Sequence, residues 1–342
     1  MTRRPPARLL AATGLVLALA LTACGGDGGS APADAGSPAA AEDAFPVSLE
    51  SDFGTTEVAE RPERVVVLGL TDADAVLALG VMPVALQQWL PQYSEFGVGP
   101  WAEDLVADAV RTGETQVLPN TGVVAYDPEQ IATLAPDLIV AVSANIDQAT
   151  FDQLSELAPV VARPPGTVNF GVPLEDSTMA IGRALGLEDE AAALVEETEA
   201  LYAAAAEEHP EFAGRTATVA RPTDTGYAAW LSADGRQQIM ARLGFAMPPG
   251  LTALDDGAFS AEVSRERLDV LEADVLVVIE PQGFEDAVAN DPVLQALEVV
   301  RTGRVVTLDA DDVGGAMAYN TVVSARTVVD ELVPQLSGAL AG

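Results

Sequence analysis

Short apolar runs alternate with helix-forming segments along most of this 342-residue chain. Residues 64–70, 81–86, 137–142 and 160–162 are apolar on both faces, which is typical of parallel strands covered by helices. The helix that follows the first run can be capped by Thr71 or Asp72, and its end is marked by Gly80. A second series of the same kind occupies residues 216–336. The sequence therefore predicts an α/β fold with two Rossmann-like lobes.

One long segment separates the two series. Residues 187–208 are nearly all Ala, Leu, Val and Glu and contain neither Gly nor Pro. Such a composition predicts one uninterrupted helix about 30 Å long. A helix of that length can span two lobes, or it can be an ordinary surface helix.

The two halves share a weak internal repeat. Residues 127–140 and 264–277 both have the pattern of a capped helix, a short turn with Asp and a buried strand. This pattern favours paired lobes that face a cleft. In open α/β sheets, ligands bind beyond the carboxyl ends of the strands, so the cleft is the expected ligand site.

The first residues have the pattern of an export signal. Arg3, Arg4 and Arg8 precede an apolar run at residues 9–21 and the sequence Leu-Thr-Ala-Cys that ends at Cys24, the only cysteine. This sequence resembles the bacterial lipobox, so we expect a lipid on Cys24; the alternative is a secreted protein cleaved elsewhere. The expected organisation is a signal peptide (1–23), a disordered tether (24–46), an N-terminal lobe (47–186), an interlobe helix (187–209) and a C-terminal lobe (210–342).

Charge and residue counts exclude several classes of function. The chain has 52 acidic and 17 basic residues and a net charge of −35, which disfavours binding to nucleic acid or to anionic lipid surfaces. A general acidic bias of the source proteome explains this charge as well as ligand steering does. His209 is the only histidine and lies beside two glutamates, so a nucleophile paired with a histidine base and a bare transition-metal site are both disfavoured.

Several segments together resemble the periplasmic binding proteins of siderophore, haem and cobalamin uptake, whose lobes are joined by one long helix. The matching segments cover most of the chain from about residue 47 to 336: residues 64–70, 126–139, 151–160, 181–186, 263–268 and 291–305. The resemblance implies a monomeric lipoprotein on the outer face of the cell membrane. It would capture a ferric siderophore in the interlobe cleft and deliver it to an ABC permease dimer.

The same resemblance implies that the chain is not an enzyme and has no cofactor, because iron arrives bound to its chelator. Cobalamin and haem are the alternative ligands. An extracytoplasmic α/β enzyme and a sensory or adhesive lipoprotein are the competing classes, and a neighbouring permease gene would favour import.

Specific residues are expected to contact the permease or the ligand. The resemblance implies that Glu129 and Glu266 dock on the permease; alternatively both are first-turn glutamates that stabilise helix N-termini. The first choice for the ligand site is Arg221, because it directly follows the predicted strand at 216–220. Its guanidinium can pair with hydroxamate, catecholate or carboxylate oxygens. The alternative for each aromatic candidate is core packing or loop anchoring. The full set of ligand candidates is Arg221, Trp89, Trp101, Tyr126, Phe170, Tyr227, Trp230 and Tyr319.

Overall fold

A computed structural model describes residues 44–88, 94–119 and 126–342. The signal peptide, Cys24, the tether up to residue 43 and Trp89 therefore lie outside the described residues. Within the described ranges, no helix is both long and apolar enough to cross a membrane. The described chain begins with an antiparallel hairpin of β1 (Val47–Ser51) and β2 (Gly54–Val58).

The first lobe is built on a parallel sheet. Its strands are β3 (Val65–Val67), β4 (Ala85–Gln87), β5 (Gln116–Leu118), β6 (Leu138–Ala141) and β7 (Val160–Ala162), in the order β5-β4-β3-β6-β7. Its helices are α1 (Asp72–Ala78), α2 (Glu103–Thr112), α3 (Pro128–Thr133), α4 (Gln148–Ser155) and α5 (Leu174–Leu185). Val65 and Val67 belong to the core on one face and Val66 to the core on the other. This arrangement explains the continuous apolar strands, because both faces are covered.

The predicted long helix is confirmed as α6 (Glu188–Glu208). Ala191 near its start is buried in the core of the first lobe, whereas Tyr202 and Ala205 near its end belong to the core of the second lobe. The helix therefore connects the two cores. Its tight approach to α5 requires a glycine, because a Cβ at Gly182 would lie 2.3 Å from the Cβ of Ala191.

The second lobe is built on a mixed sheet. Its strands are β8 (Ala217–Thr223), β9 (Gly226–Trp230), β10 (Ser260–Ser264), β11 (Val275–Glu280) and β12 (Val305–Asp309), in the order β10-β9-β8-β11-β12. Strands β8, β11 and β12 are parallel, whereas β9 is antiparallel to both β8 and β10. The helices are α7 (Gly235–Arg242), α8 (Pro249–Thr252), α9 (Ala287–Asn290), α10 (Glu298–Arg301), α11 (Val313–Tyr319), α12 (Ser324–Thr327) and α13 (Val333–Ala341).

The structure of this lobe differs from the sequence-based prediction in three places. The antiparallel strands β9 and β10 were not predicted. The expected helix at residues 264–271 is a 3₁₀ segment (Arg265–Leu271) that is interrupted at Arg267. The sequence predicts one terminal helix from residue 320 to about 336, and the structure has α12, a π-helical turn (Val328–Leu332) and α13 there.

The internal repeat has a physical counterpart in the two sheets. The Asp137 carboxylate accepts hydrogen bonds from the backbone N–H of Glu63 and Arg64, just before β3. The Asp274 carboxylate accepts equivalent bonds from the backbone N–H and hydroxyl of Thr216, just before β8. In each lobe, the aspartate before one inner strand therefore fixes the start of the neighbouring strand.

Candidate functional site

A cavity of about 330 Å³ lies between the two lobes, within the range of roughly 300–1,000 Å³ that is usual for small-molecule sites. The start of α1, the loop after β6 and the start of α5 form its first wall. The end of β9, the start of α7 and the end of α11 form its second wall. The main side chains on the first wall are Leu70, Thr71, Ala75, Ser143, Ser177 and Thr178, and those on the second are Trp230, Asp234, Arg236, Gln238, Phe259, Tyr319 and Asn320.

An ion pair stacked on an aromatic ring dominates the second wall. Asp234 is the N-cap of α7, and its carboxylate accepts the backbone N–H of Arg236. The Arg236 side chain donates back from Nε and from Nη2, both at 2.8 Å. Its guanidinium carbon lies 3.6 Å from the centroid of the Trp230 ring. The carboxylate and the ring together fix the guanidinium plane, as bidentate pairing and cation–π stacking both require.

Two buried polar atoms on this wall have no hydrogen-bond partner among the described residues: Trp230 Nε1 and Asn320 Oδ1. A buried donor or acceptor without a partner costs about 1–3 kcal/mol, and neither atom is exposed to the cavity. Asn320 and Phe170 also have positive φ angles of 48° and 61°. Strained backbone of this kind concentrates at ligand sites, and both residues line this cavity.

The first wall is neutral because its two acids lie behind it. The Asp72 side chain is buried and accepts the backbone N–H of Val142 at 2.7 Å and of Ser143 at 3.0 Å. Burial raises the pKa of Asp72 to about 6. Thr71, which does line the cavity, donates its hydroxyl to Ser143 Oγ at 2.8 Å. The carboxylate therefore holds the loop after β6, and neutral hydroxyls line the cavity.

A buried hydrogen-bond bridge joins the lobes beside the cavity. Asp74 Oδ2 accepts from Trp101 Nε1 at 2.8 Å and from the Thr321 hydroxyl of the second lobe at 2.5 Å. The Trp101 ring meets the edge of the Tyr319 ring, with 4.8 Å between centroids. Burial raises the pKa of Asp74 to about 6. This bridge fixes the relative position of the two walls.

The family of the chain follows from comparison with known proteins. The model of a family described as periplasmic binding protein matches residues 65–311. The chain belongs to this family.

Several known proteins are similar to this chain in sequence or in structure. The Fe(3+)-citrate-binding protein YfmC of Bacillus subtilis (strain 168) is 26% identical over 268 residues, which cover 77% of this chain and 78% of that protein. A periplasmic solute binding protein from Mycobacterium smegmatis has a TM-score of 0.76 and 30% identity, covering 87% of this chain and 100% of that chain. PiaA from Streptococcus pneumoniae, described as an iron uptake ABC transporter substrate-binding protein, was solved with ferrichrome; its TM-score is 0.72 at 25% identity, covering 86% of this chain and 98% of that chain.

In this periplasmic binding protein, three of the predicted ligand residues lie together. Phe170, Trp230 and Tyr319 all line the cavity. Four others lie elsewhere in the described structure, and the lining does not include them: Arg221, Trp101, Tyr126 and Tyr227.

The longer course of β8 explains the position of Arg221. The sequence predicted that this strand ends at Ala220, which would put Arg221 at the ligand edge. The strand instead continues to Thr223, turns back as β9, and pairs Arg221 with Ala228. Arg221 is therefore an exposed residue inside a hairpin, outside the cavity.

The three aromatic residues outside the cavity lining pack in or against the protein cores. Tyr227 is 2% exposed in a core of the second lobe, and burial raises its pKa to about 12. Tyr126 packs against a core of the first lobe, with its hydroxyl 3.5 Å from the carbonyl oxygen of Leu68. Trp101 packs against the cores of both lobes. All three make the core contacts that the alternative predicted, and their role in ligand binding stays a prediction.

Sequence reasoning missed the ion pair. Asp234-Gly235-Arg236 follows the end of β9 and begins α7, which is the kind of strand-to-helix edge where ligands bind. The N-cap aspartate was therefore a usable signal, hidden because β9 itself was not predicted. Phe259 lies in the loop before β10, and nothing in the sequence around it indicates a site.

The two predicted docking glutamates occupy exposed positions. Glu129 lies in the first turn of α3, whose N-cap side chain is Asp127. Glu266 lies in the 3₁₀ segment before β11. The two segments precede the equivalent strands β6 and β11, so the glutamates occupy corresponding places in the two lobes. Their role stays a prediction.

Among the residues that the structure describes, no group of three or more His, Cys, Asp or Glu side chains is placed to hold a metal ion. The expectation that iron arrives already chelated stays a prediction.

Proposed function

We propose that this chain captures a ferric siderophore in the interlobe cavity and delivers it to the permease dimer of an ABC importer. The observation that carries the proposal is the second wall of the cavity, where Trp230, Tyr319 and a stacked guanidinium are held in fixed positions. Aromatic faces pack on the methylenes or rings of a chelator, and the guanidinium and the lining hydroxyls and amides supply hydrogen bonds.

The similar proteins support iron as the cargo. YfmC is named for binding Fe(3+)-citrate, and PiaA was solved with ferrichrome. The function so proposed is binding and delivery, and the chain does not transform its ligand chemically. The iron is cargo held by its chelator, so the protein needs no resident cofactor.

The proposal includes the location and the permease contact. Lipidation of Cys24 would hold a monomer on the outer face of the cell membrane through the segment up to residue 46, after removal of residues 1–23. Two or more acyl chains are required for stable anchoring. Glu129 and Glu266 would pair with basic groups on the two permease subunits. Replacing both glutamates with Gln should leave ligand affinity unchanged and slow import by the assembled transporter; unchanged import would contradict this docking role.

Tryptophan fluorescence tests the proposed function. Ferric hydroxamate, catecholate and carboxylate complexes are titrated into the protein, with haem, cobalamin and the iron-free chelators as separate arms. At least one ferric complex should quench the fluorescence with micromolar or tighter affinity and raise the melting temperature. If no ferric complex changes either signal, the siderophore function is wrong; binding of haem or cobalamin alone would reassign the ligand within the same class.

A further inference from the structure

The described lining of the cavity has no net charge. Asp234 and Arg236 are its only charged side chains within the described residues, and they neutralise each other. The other polar side chains on both walls are hydroxyls, amides and an indole. A ligand that enters this site therefore meets hydrogen-bonding groups rather than a surplus of either charge.

The Arg236 guanidinium is already paired with the Asp234 carboxylate. Arg236 directs Nε and Nη2 at the two oxygens of Asp234, and the two side chains are only 16% and 9% exposed. A ligand carboxylate that approached the guanidinium would have to displace Asp234 or lie beside its negative charge. Taking an anion out of water without a free cation is unfavourable.

Neighbouring segments do not add a free cation. Arg163, near the loop that carries Phe170, forms an ion pair with Asp52 at 2.9 Å and donates to Asn169 at 2.8 Å. Arg221 lies outside the cavity. The sequence at 89–93 and 120–125 contains no charged residue, so these segments bring no charge to the site whatever their position. The net charge of −35 also repels anions at longer range.

We propose, on the basis of the proposed function, that the site selects ferric chelates by charge and takes electroneutral complexes of the trihydroxamate type. Three hydroxamate monoanions balance the charge of Fe(III), so such a complex is neutral, with an apolar and amide periphery. That periphery suits Trp230, Phe170 and Phe259, and its amides can pair with the hydroxyls and amides that line both walls. Ferric citrate and tricatecholate complexes carry net negative charge and are disfavoured.

A ligand series with one iron environment tests this selection. A linear ferric trihydroxamate is prepared with its terminal group acetylated (neutral), succinylated (one negative charge) or left as a free amine (one positive charge). In titrations at low salt, the cationic form should bind at least as tightly as the neutral form, because the net charge of −35 attracts it. The succinylated form should bind about tenfold more weakly, and the tricatecholate and citrate complexes more weakly still.

A charge variant of the protein sharpens the test. In Asp234→Asn, the amide oxygen can still cap α7, while the charge on Arg236 becomes available. The affinity for the succinylated form, divided by the affinity for the neutral form, should rise about tenfold. Glu114→Gln, which makes the same change in net charge at an exposed residue outside the cavity, is the matched control and should change neither affinity.

The outcomes separate this inference from the proposed function. If the wild-type protein binds the succinylated, tricatecholate or citrate complex as tightly as the neutral one, selection by charge is wrong and ferric siderophore capture stands. If none of the ferric complexes binds, both proposals fail. The ligand series uses the wild-type protein, so it tests selection by ligand charge even if Asp234→Asn folds poorly.

Discussion

The two walls of the cavity differ in where their charged side chains lie. On the first wall, Asp72 and Asp74 lie behind the surface and hold backbone and interlobe contacts. On the second wall, Asp234 and Arg236 face the cavity as a stacked pair. The difference indicates that the first wall provides shape and rigidity, whereas the second provides the groups that recognise a ligand. Substitutions at or behind the first wall should therefore change the stability of the folded protein, whereas substitutions on the second wall should change its affinity for the ligand.

The largest effect is expected from Asp74→Ala. The change leaves the Trp101 indole N–H and the Thr321 hydroxyl without their acceptor between the lobes, which should cost about 2–4 kcal/mol of the free energy of unfolding. Asp74→Asn is the matched control, because its amide oxygen can accept both bonds. Denaturant titration of both variants measures the loss, and an Asp74→Ala protein as stable as wild type would show that the bridge does not hold the lobes.

The free energy of unfolding should depend on pH because Asp72 and Asp74 are buried. The folded protein raises the pKa values of Asp72 and Asp74 from 3.8 to about 6. Because the folded state holds these protons more tightly, their contribution to stability is greatest below pH 4, falls as the pH rises to 6 and stays low above it. The loss is on the order of 1–3 kcal/mol per group.

Unfolding free energies at pH 4.5 and pH 7 measure this loss. The difference between the two pH values should be smaller in Asp74→Asn than in wild type, because the variant cannot ionise at this position. Equal differences in the two proteins would show that Asp74 does not titrate in this range.

An affinity effect is expected on the second wall. Trp230→Ala removes the ring under the Arg236 guanidinium and should weaken binding of a neutral ferric trihydroxamate about tenfold to thirtyfold, equivalent to about 1.4–2 kcal/mol. Trp230→Phe keeps an aromatic face without the N–H donor and should lie between alanine and wild type. Calorimetric titration gives the affinities, and a Trp230→Ala protein with wild-type affinity would remove this wall from recognition.

The smallest effect is expected at Arg221. Its side chain is exposed and lies outside the cavity, so Arg221→Ala should change affinity by less than about twofold, as is usual for a surface substitution. The same titration measures it beside Trp230→Ala. A loss as large as that of Trp230→Ala would restore Arg221 to the ligand site.

Much of the fold could be predicted because its signals are local. The buried parallel strands of the first lobe appear as continuous apolar runs, and α6 as a long segment without Gly or Pro. Asp137 and Asp274 occupy matching places in the repeat, and each carboxylate accepts a backbone N–H just before the neighbouring strand of its sheet. The hairpin of β8 and β9 was missed because its residues at 221–225 have the composition of a loop.

The candidate site was only partly predictable, because it depends on how far one strand extends. Tyr319 is predicted from its place before the last helix and Trp230 from its place soon after the strand at 216–220. Arg221 is misplaced because β8 is three residues longer than predicted. Whether Trp101 faces a ligand or the other lobe depends on its contacts with Asp74 and Tyr319, which are far apart in sequence. Such long-range packing leaves no pattern in a single sequence.

An iron anomalous-difference map from crystals grown with a neutral ferric trihydroxamate is the most direct test of whether the interlobe cavity is the capture site. We expect one iron peak in the interlobe cavity, with the chelator between Trp230 and the Thr71–Ser143 hydroxyl pair. An iron peak at any other place on a protein that binds the complex in solution would contradict the assignment of this cavity as the capture site.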